Sequence, residues 1–229
     1  MKHYNIFILL GAPGSGKGSL ATKCVQEFGW VQLSTGNLCR DHIERGTLIG
    51  KHIQSIIESG QLVADDIIAD MIIDWLVSRN DLPKNIIFDG YPRTKKQAEI
   101  LCDLLKNKLC ATDLLVIKLN IDSSLLTERI INRITCSNKE CGRVYSTSVD
   151  RTTQPKVSNI CDSCGSSLIK RIDDTMQSLE KRLCIYDQHE KEIIDFYVDQ
   201  GVCIHFLNGA QDIKKVFDDF KKLVFNYVC

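Results

Sequence analysis

No charge of one sign dominates this 229-residue chain: 29 Lys and Arg stand against 29 Asp and Glu. A neutral chain has no overall field to draw it onto nucleic acid or a membrane surface, so any anion it recognises must be met by local charge. A long hydrophobic run is missing too. The apolar stretch Ile6 to Leu10 is far too short to span a bilayer, and it leads into a glycine-rich loop rather than a cleavage site, unlike a signal peptide. No internal repeat or low-complexity tract interrupts the chain. Apolar residues make up 44% and charged residues 25%, the balance of a soluble globular protein. The length allows a substantial core, as one domain with insertions or as two small ones. Cysteine is plentiful, at eleven. An odd count without an export signal points to a reducing, cytoplasmic setting, with the mitochondrion as the other possibility, and to thiols used as core filler or metal ligands.

The most informative stretch is Ile6 to Ser19. An unbroken apolar run reads as a fully buried strand of a parallel sheet. It passes into Gly11-Ala12-Pro13-Gly14-Ser15-Gly16-Lys17 and then a helix-compatible segment from Ser19 to Phe28. Strand, glycine loop, lysine and helix in that order predict a phosphate site. Glycines let the backbone wrap an anion closely, the helix aims unpaired N–H groups and its positive end at the same spot, and Lys17 adds a mobile charge for the outer phosphates. One departure from the general P-loop pattern is Gly18 after the lysine, which moves the hydroxyl to Ser19.

Further along, Val31 to Leu33 reads as a strand, and Ser34 or Thr35 can cap a helix carrying Leu38, Arg40 and Ile43. Gly46 and Gly50 break the region before a second helix ending at Gly60, so residues 34–63 form a small helical excursion. Asp65-Asp66 starts a helix with Ile67, Ile68, Met71, Ile72, Trp75 and Leu76 on one face. Ile86-Ile87-Phe88-Asp89 is a buried strand ending in a carboxylate. Ligands of open α/β sheets sit at the carboxyl ends of the strands, so Asp89 should share the crevice of the glycine loop and organise Mg²⁺ through its waters. Thr94 and Gln97 fit a capping box; Gln97 could equally point its amide at a nucleobase. A strand over Leu114 to Leu119 precedes a helix capped by Asp122, with Arg129 and Arg133 expected four residues apart on one helix face. After Arg171-Ile172-Asp173-Asp174 comes a long helix with Met176, Leu179, Leu183, Tyr186, Ile193 and Tyr197 on one side and Arg182 among its polar positions. A strand over Val202 to Leu207, the Asn208-Gly209 turn and a final helix burying Val216, Phe217, Phe220, Leu223 and Val224 complete the chain. Alternating strands and helices predict a three-layer αβα fold around a parallel sheet.

Thr135 to Ser167 differs in composition: polar, turn-rich and holding Cys136, Cys141, Cys161 and Cys164. Cys161-Asp-Ser-Cys164-Gly165 is a zinc-knuckle spacing, and Cys136-x4-Cys141-Gly142 is looser but within the structural-zinc range. Four thiolates close the coordination sphere, so the expected Zn²⁺ is structural, and a stretch so poor in large apolar residues needs it to fold.

GAPGSGKGS, STGNLCRD, FDGYPRT with Gln97, the Arg129/Arg133 segment, RIDD and Arg182 occur in the order and spacing of adenylate kinases, and nearly the whole chain resembles that family. The resemblance implies a core over 1–33, 64–133 and 173–229, an AMP-binding domain over 34–63, and a zinc-bearing lid over 134–172 like that of long-form members. It implies catalytic roles for Lys17, Arg93, Arg129, Arg171 and Arg182. The donor nucleotide would lie against Gly14, Ser15, Gly16, Lys17, Gly18, Ser19, Arg129, Arg133, Asn208 and Ala210. AMP would lie against Thr35, Arg40, Gln61, Val63, Gly90, Arg93, Gln97, Arg171 and Arg182, with Thr35 and Gln97 reading the adenine. Asp89 and Ser19 would serve Mg²⁺, and Asp173 and Asp174 are similar to lid-hinge carboxylates. Asn37 stands where many relatives have aspartate, Ser19 replaces threonine, and Leu20 replaces a common glutamine. Leu20 with RDHIERGTLIG is similar to GTP:AMP members as much as to ATP-using ones, so the donor stays open between ATP, taken first on base rates, and GTP. A monomer is expected, with neither nucleic acid nor membrane as partner.

The chemistry is consistent on its own terms. A triphosphate and a monophosphate together carry about six negative charges, so bringing them into contact takes Mg²⁺, Lys17 and arginines 40, 93, 129, 133, 171 and 182. An ionised phosphate oxygen is already a nucleophile and calls for no general base; positioning and charge stabilisation suffice. Covers over the site would keep water from taking the phosphate. Three other readings predict other features. A zinc-ribbon nucleic-acid binder calls for a basic patch with interleaved aromatics, whereas the lid stretch has only Tyr145 and balanced charge. A P-loop switch would hydrolyse nucleotide slowly whether or not AMP is added. A pyrimidine monophosphate kinase is opposed by the Thr35/Gln97 pair and the long lid.

Overall fold

The computed structural model describes residues 4–79, 82–109, 113–148 and 153–228. Its centre is a parallel sheet of five strands, β1 (Asn5–Leu10), β2 (Val31–Ser34), β3 (Asn85–Asp89), β4 (Asp113–Asn120) and a late strand Ile204–Asn208. The spatial order is β2-β3-β1-β4 and then that late strand. Every residue of β1 is buried, as the central strand of a sheet covered on both faces must be. Its side chains alternate between two separate cores. Ile6, Ile8 and Leu10 pack with Ile86, Phe88 and Val116, whereas Phe7 and Leu9 pack with Ile87, Leu115 and Ile117.

The first core is roofed by α4 (Asp65–Val77), α5 (Lys95–Leu104) and α7 (Met176–Asp199) through Ile68, Met71, Ile72, Trp75, Ala98, Leu101, Ile193 and Tyr197. The second is roofed by α1 (Lys17–Phe28) and α8 (Ile213–Val228) through Leu20, Ala21, Cys24, Val216, Phe217 and Phe220. Trp30 belongs to this second layer, stacked on Phe7 at 4.3 Å between ring centroids. Trp75 belongs to the first, with the Arg79 guanidinium 4.2 Å from its ring centroid. The three-layer αβα arrangement expected from the alternation is therefore present. Met176, however, is 47% exposed rather than part of the apolar face of α7, whose first residue it is. Leu20, which resemblance marked as a departure, is fully buried under the sheet.

Two excursions leave this body. The first is α2 (Thr35–Glu44) and α3 (Leu48–Glu58). Ser34 caps α2 by accepting the Asn37 N–H at 3.4 Å, and Thr47 caps α3 by accepting the Gly50 N–H at 3.0 Å. The second follows α6 (Ser123–Ile131) and is a small antiparallel sheet of β5 (Arg133–Cys136), β6 (Val144–Ser146) and β7 (Leu168–Ile169), with β5 central. Here one expectation is corrected. Arg133 does not share a helix face with Arg129, because α6 ends at Ile131 and Arg133 opens β5. The last sheet strand, now β8, runs over Ile204–Asn208, two residues later at its start than its apolar pattern suggests. Within the stretch 134–172, residues 149–152 lie outside the described residues. No helix among the described residues is long and apolar enough to cross a membrane.

Candidate active site

Parallel pairing places the carboxyl ends of all five strands on one edge. Leu9 pairs with Asp89, Ser34 with Asp89, Leu10 with Lys118, and Asn120 with Asn208. The loops after β1, β2, β3 and β8 therefore open into a single cleft of about 1680 Å³, larger than the range of about 300–1000 Å³ usual for one small ligand.

The loop after β1 forms its floor. Gly11, Gly14 and Gly16 have φ of 141°, 85° and 103°, a left-handed region that other residues enter only with strain. Gly16 is the residue preceding α1, and no side chain caps that helix, so its first N–H groups face the cleft. Lys17 folds back over the loop, donating to the carbonyls of Gly11 (2.6 Å) and Ala12 (2.9 Å) and to Ser15 Oγ (3.3 Å). Burial, partly offset by Asp89 and reinforced by Arg93, Arg182 and Arg133, brings its pKa down to about 8. Gly18 has a local reason: a Cβ there would stand 3.3 Å from Asp89 Oδ2. That carboxylate oxygen accepts from Gln32 Nε2 at 3.0 Å, so Gln32 holds Asp89 at the rim of the loop, a contact between β2 and β3 that sequence reasoning missed.

The remaining cations arrive from separate elements. Arg40 comes from α2, where Asn37 Oδ1 accepts its guanidinium at 2.6 Å; a neutral amide does the holding at this position. Arg93 follows β3 and donates through Nε to the Gly90 carbonyl at 2.7 Å, which also accepts from Thr35 Oγ1 at 2.8 Å. Arg133 forms a two-pronged pair with Asp174, one prong at 2.8 Å. Arg182 donates to Asp173 Oδ2 at 3.2 Å. Arg171 completes the group. These charges act on one another: burial and the nearby Arg40 and Arg133 pull Arg171 down to about 9, against Asp173 and Asp174. Burial likewise lowers Arg182 to about 10, opposed first by Asp173 and reinforced by Arg93 and Arg133. Arg40 is lowered for the same reasons. The reverse holds for Asp173. Burial would raise its carboxyl, but Arg182, Arg40, Arg171 and Arg133 hold it below the usual range.

Arg129 is placed differently. It lines the same cleft but turns to the loop after β8, donating to the carbonyls of Gly209 (2.7 Å) and Ala210 (3.3 Å). Asn208 lies behind that loop, its side chain accepting the Ala210 N–H at 3.0 Å, and does not line the cleft. Gln61 and Val63 line the cleft below α3, with Val63 buried in the first core. Gln97 is 2% exposed. Thr94 accepts its backbone N–H at 3.1 Å, so one half of the anticipated capping box is present. The other half is absent, because the Gln97 amide goes to the Arg93 N–H and to Asp65 instead.

The four cysteines converge as their spacing predicts. Their sulfurs all lie within 4.8 Å of one another, Cys136 and Cys164 at 3.3 Å and Cys141 and Cys161 at 3.6 Å. Zn–S bonds of about 2.3 Å put the sulfurs of a tetrahedral site about 3.8 Å apart, so this donor set fits a closed zinc site. The Tyr145 hydroxyl lies 3.4 Å from Cys161 Sγ and accepts the Asp162 N–H at 2.7 Å, bracing the knuckle from inside. Of the other seven cysteines, Cys24 and Cys39 are buried core filler, Cys102 is half-buried, and Cys184 and Cys203 are exposed; Cys110 and Cys229 lie outside the described residues.

One further contact joins the two excursions. Lys139, between Cys136 and Cys141, reaches Asp41 Oδ1 at 2.6 Å and Glu44 Oε2 at 2.7 Å on α2. The small sheet and the helical pair thus meet over the cleft.

Comparison with known proteins agrees with this geometry. A family profile described as adenylate kinase matches residues 9–202. The adenylate kinase of Rhizorhabdus wittichii is 40% identical over 91% of this chain and 94% of its own length. That of Thermoanaerobacter sp. (strain X514) is 37% identical over 94% and 95%, and that of Methanosarcina mazei is 36% identical over 95% and 97%. With the glycine loop, the cation cluster and these matches all in agreement, the chain belongs to the adenylate kinase family of nucleotide phosphotransferases.

Proposed function

We propose that the protein transfers the terminal phosphate of Mg-ATP reversibly to AMP, giving two molecules of ADP. The observation that carries this reading is the meeting of Lys17, Arg40, Arg93, Arg133, Arg171 and Arg182 in one cleft, where burial and neighbouring cations lower the proton affinity of Lys17, Arg40, Arg171 and Arg182. Like charges crowd together at a cost unless something anionic completes the site. Two nucleotides whose terminal phosphates touch supply that charge.

In this reading the loop 11–17 and the start of α1 cradle the donor phosphates, and Lys17 leaves its carbonyl partners for the outer ones. Ser19 and Asp89 would hold the Mg²⁺ that comes with the nucleotide, which supplies further charge neutralisation on the phosphate chain. Arg129, with the Asn208–Ala210 loop, borders the donor base; Arg133 supports the donor phosphates. Arg40 and Arg93 clamp the AMP phosphate, and Arg171 and Arg182 stand over the transferred group. The AMP oxygen is anionic before it attacks, so these residues act by orientation and by stabilising charge that spreads in the transition state. Thr35 and Gln97 face the acceptor base, with Gln61, Val63 and Gly90 completing its surround. Residues 34–63 serve as the AMP-binding flap and 134–172 as the lid. Four cysteine thiolates would keep a structural Zn²⁺ in the lid, remote from the chemistry.

The test is a coupled assay crossing ATP and GTP with AMP, GMP, CMP and UMP. Fast turnover with ATP that depends on AMP is expected, and Lys17→Ala should lower it by several orders of magnitude with the fold intact. Equal turnover without a monophosphate, or near-normal activity of the Lys17 variant, would refute the phosphate assignment. Turnover with GTP in place of ATP would move the protein to a GTP:AMP phosphotransferase.

A further inference from the structure

Gln97 is nearly inaccessible, and both ends of its amide are already engaged. Its Oε1 accepts the backbone N–H of Arg93 at 2.8 Å, and its Nε2 donates to Asp65 Oδ1 at 2.8 Å. Asp65 does not line the cleft; it stands behind Gln97 at the start of α4. Its other oxygen accepts from Thr94 Oγ1 at 3.2 Å, so the carboxylate is itself held in place.

The chemistry of the two partners leaves one orientation for the amide. A peptide N–H can only donate and an ionised carboxylate can only accept. Rotating the amide by 180° would set Oε1 against the carboxylate and Nε2 against an N–H, two repulsive contacts in place of two hydrogen bonds. What Gln97 has left for a ligand is therefore one N–H and one lone pair in fixed positions. Purines differ at this level: adenine carries a donor at its 6-position, where guanine and hypoxanthine carry an acceptor, and the neighbouring ring nitrogen N1 changes the opposite way, from acceptor in adenine to N–H donor in the 6-oxopurines. A freely turning glutamine satisfies either pattern, whereas a locked one satisfies only one.

We infer that Asp65 is a specificity-determining positioning residue: by locking the Gln97 amide it makes the acceptor site take 6-aminopurine nucleotides and reject 6-oxopurine ones. This rests on the proposed reading that Gln97 faces the AMP base. Rejection then follows from the unpaired polar groups a wrong base would bury, the strongest form of discrimination a polar site has. Asp65 touches neither substrate and acts only through Gln97.

The experiment measures kcat/KM for AMP and for IMP, with ATP as donor, in the wild type, Asp65→Asn, Asp65→Ser and Gln97→Ala, with a melting curve for each. Both Asp65 variants present a group that can donate as well as accept, so a flipped amide loses only its contact with the Arg93 N–H instead of both contacts, and the 6-oxopurine orientation becomes less costly. The AMP:IMP ratio should fall at least about tenfold, mainly through a higher KM for AMP and a lower one for IMP, in every variant that melts cooperatively. Having two variants guards against one that fails to fold. A ratio within about twofold of wild type, or parallel losses for both nucleotides, would overturn the lock and leave Asp65 a structural residue. A Gln97→Ala ratio equal to wild type would instead remove Gln97 from base reading. A wild type that fails to phosphorylate AMP would remove the proposed function itself.

Discussion

The two units that overhang the cleft are built on opposite plans. The helical pair α2–α3 has no core of its own: Cys39 and Ile53 are buried in the same apolar cluster as one face of the main sheet, with Leu38, Ile43, Ile56 and Ile57 packed against it. Among the described residues, the small sheet β5–β7 keeps a separate core of Cys136, Tyr145, Cys161 and Leu168, with Ile134 and Cys141 packed against it, and leaves Val157, Ile160 and Ile169 exposed. One cover shares the stability of the body. On the proposed reading the other would depend on a metal held by its four thiolates, because so small an apolar core does little to offset the ordering entropy of so many residues.

The largest effect expected is on the second plan. Stripping metal with a chelator, or Cys161→Ser, should abolish amide-exchange protection in β5 and β6 while β1, β3 and β4 stay protected. Undiminished protection in the stripped protein would show that the small sheet stands without a metal. Next comes the shared core. Ile53 is fully buried, so Ile53→Ala should cost about 2–5 kcal/mol, and the loss should appear in the main unfolding transition. A separate early transition of α2–α3 with the main one unmoved would break the contrast.

Beneath both covers, Lys17 gives a smaller, pH-dependent effect. Its pKa falls from 10.5 to about 8 on folding. Between those values the unfolded chain binds more protons, so this group makes stability rise with pH from about 8 to 10.5, while below 8 its full penalty on the folded state persists. A polyphosphate beside it restores the ordinary affinity, so nucleotide binding at pH 8.5–9 should take up a fraction of a proton. Calorimetry in two buffers of different ionisation enthalpy measures that fraction; zero uptake would place Lys17 away from the phosphates. Smallest is the contact between the covers. Asp41 and Glu44 raise the Lys139 pKa, but its side chain is 50% exposed, and pairs of that kind contribute about 0.2–1 kcal/mol. Lys139→Ala should widen the distance distribution between labels on α2 and β6 slightly, by an amount that shrinks with added salt.

How far the sequence spoke varied with the range of the interaction. The glycine loop, the buried strands and the cysteine spacing are local patterns, and they were legible from composition and periodicity. The end of α6 was not. No glycine or proline separates Ile131 from Arg133, so helical spacing continued on paper where the chain turned into β5. The Lys139 bridge joins residues 98 apart, and no local pattern carries that. Asp65 read only as the acidic start of a helix, since its bond to Gln97 exists only once α4 and α5 pack side by side. For Gln97 the sequence offered two readings; in the structure its backbone N–H is capped by Thr94, while its amide bonds the Arg93 N–H and Asp65.

The chain has two tryptophans, and the alternation of the central strand has separated them. Trp30 is stacked on Phe7 beneath α8, and Trp75 lies under Arg79 on the opposite side of the sheet. Each apolar layer thus carries its own intrinsic fluorophore, one stacked on a phenylalanine ring and the other beside a guanidinium. Replacing either with phenylalanine leaves a single emitter, so whether the two layers melt together or in sequence can be followed by emission alone, without attaching a dye.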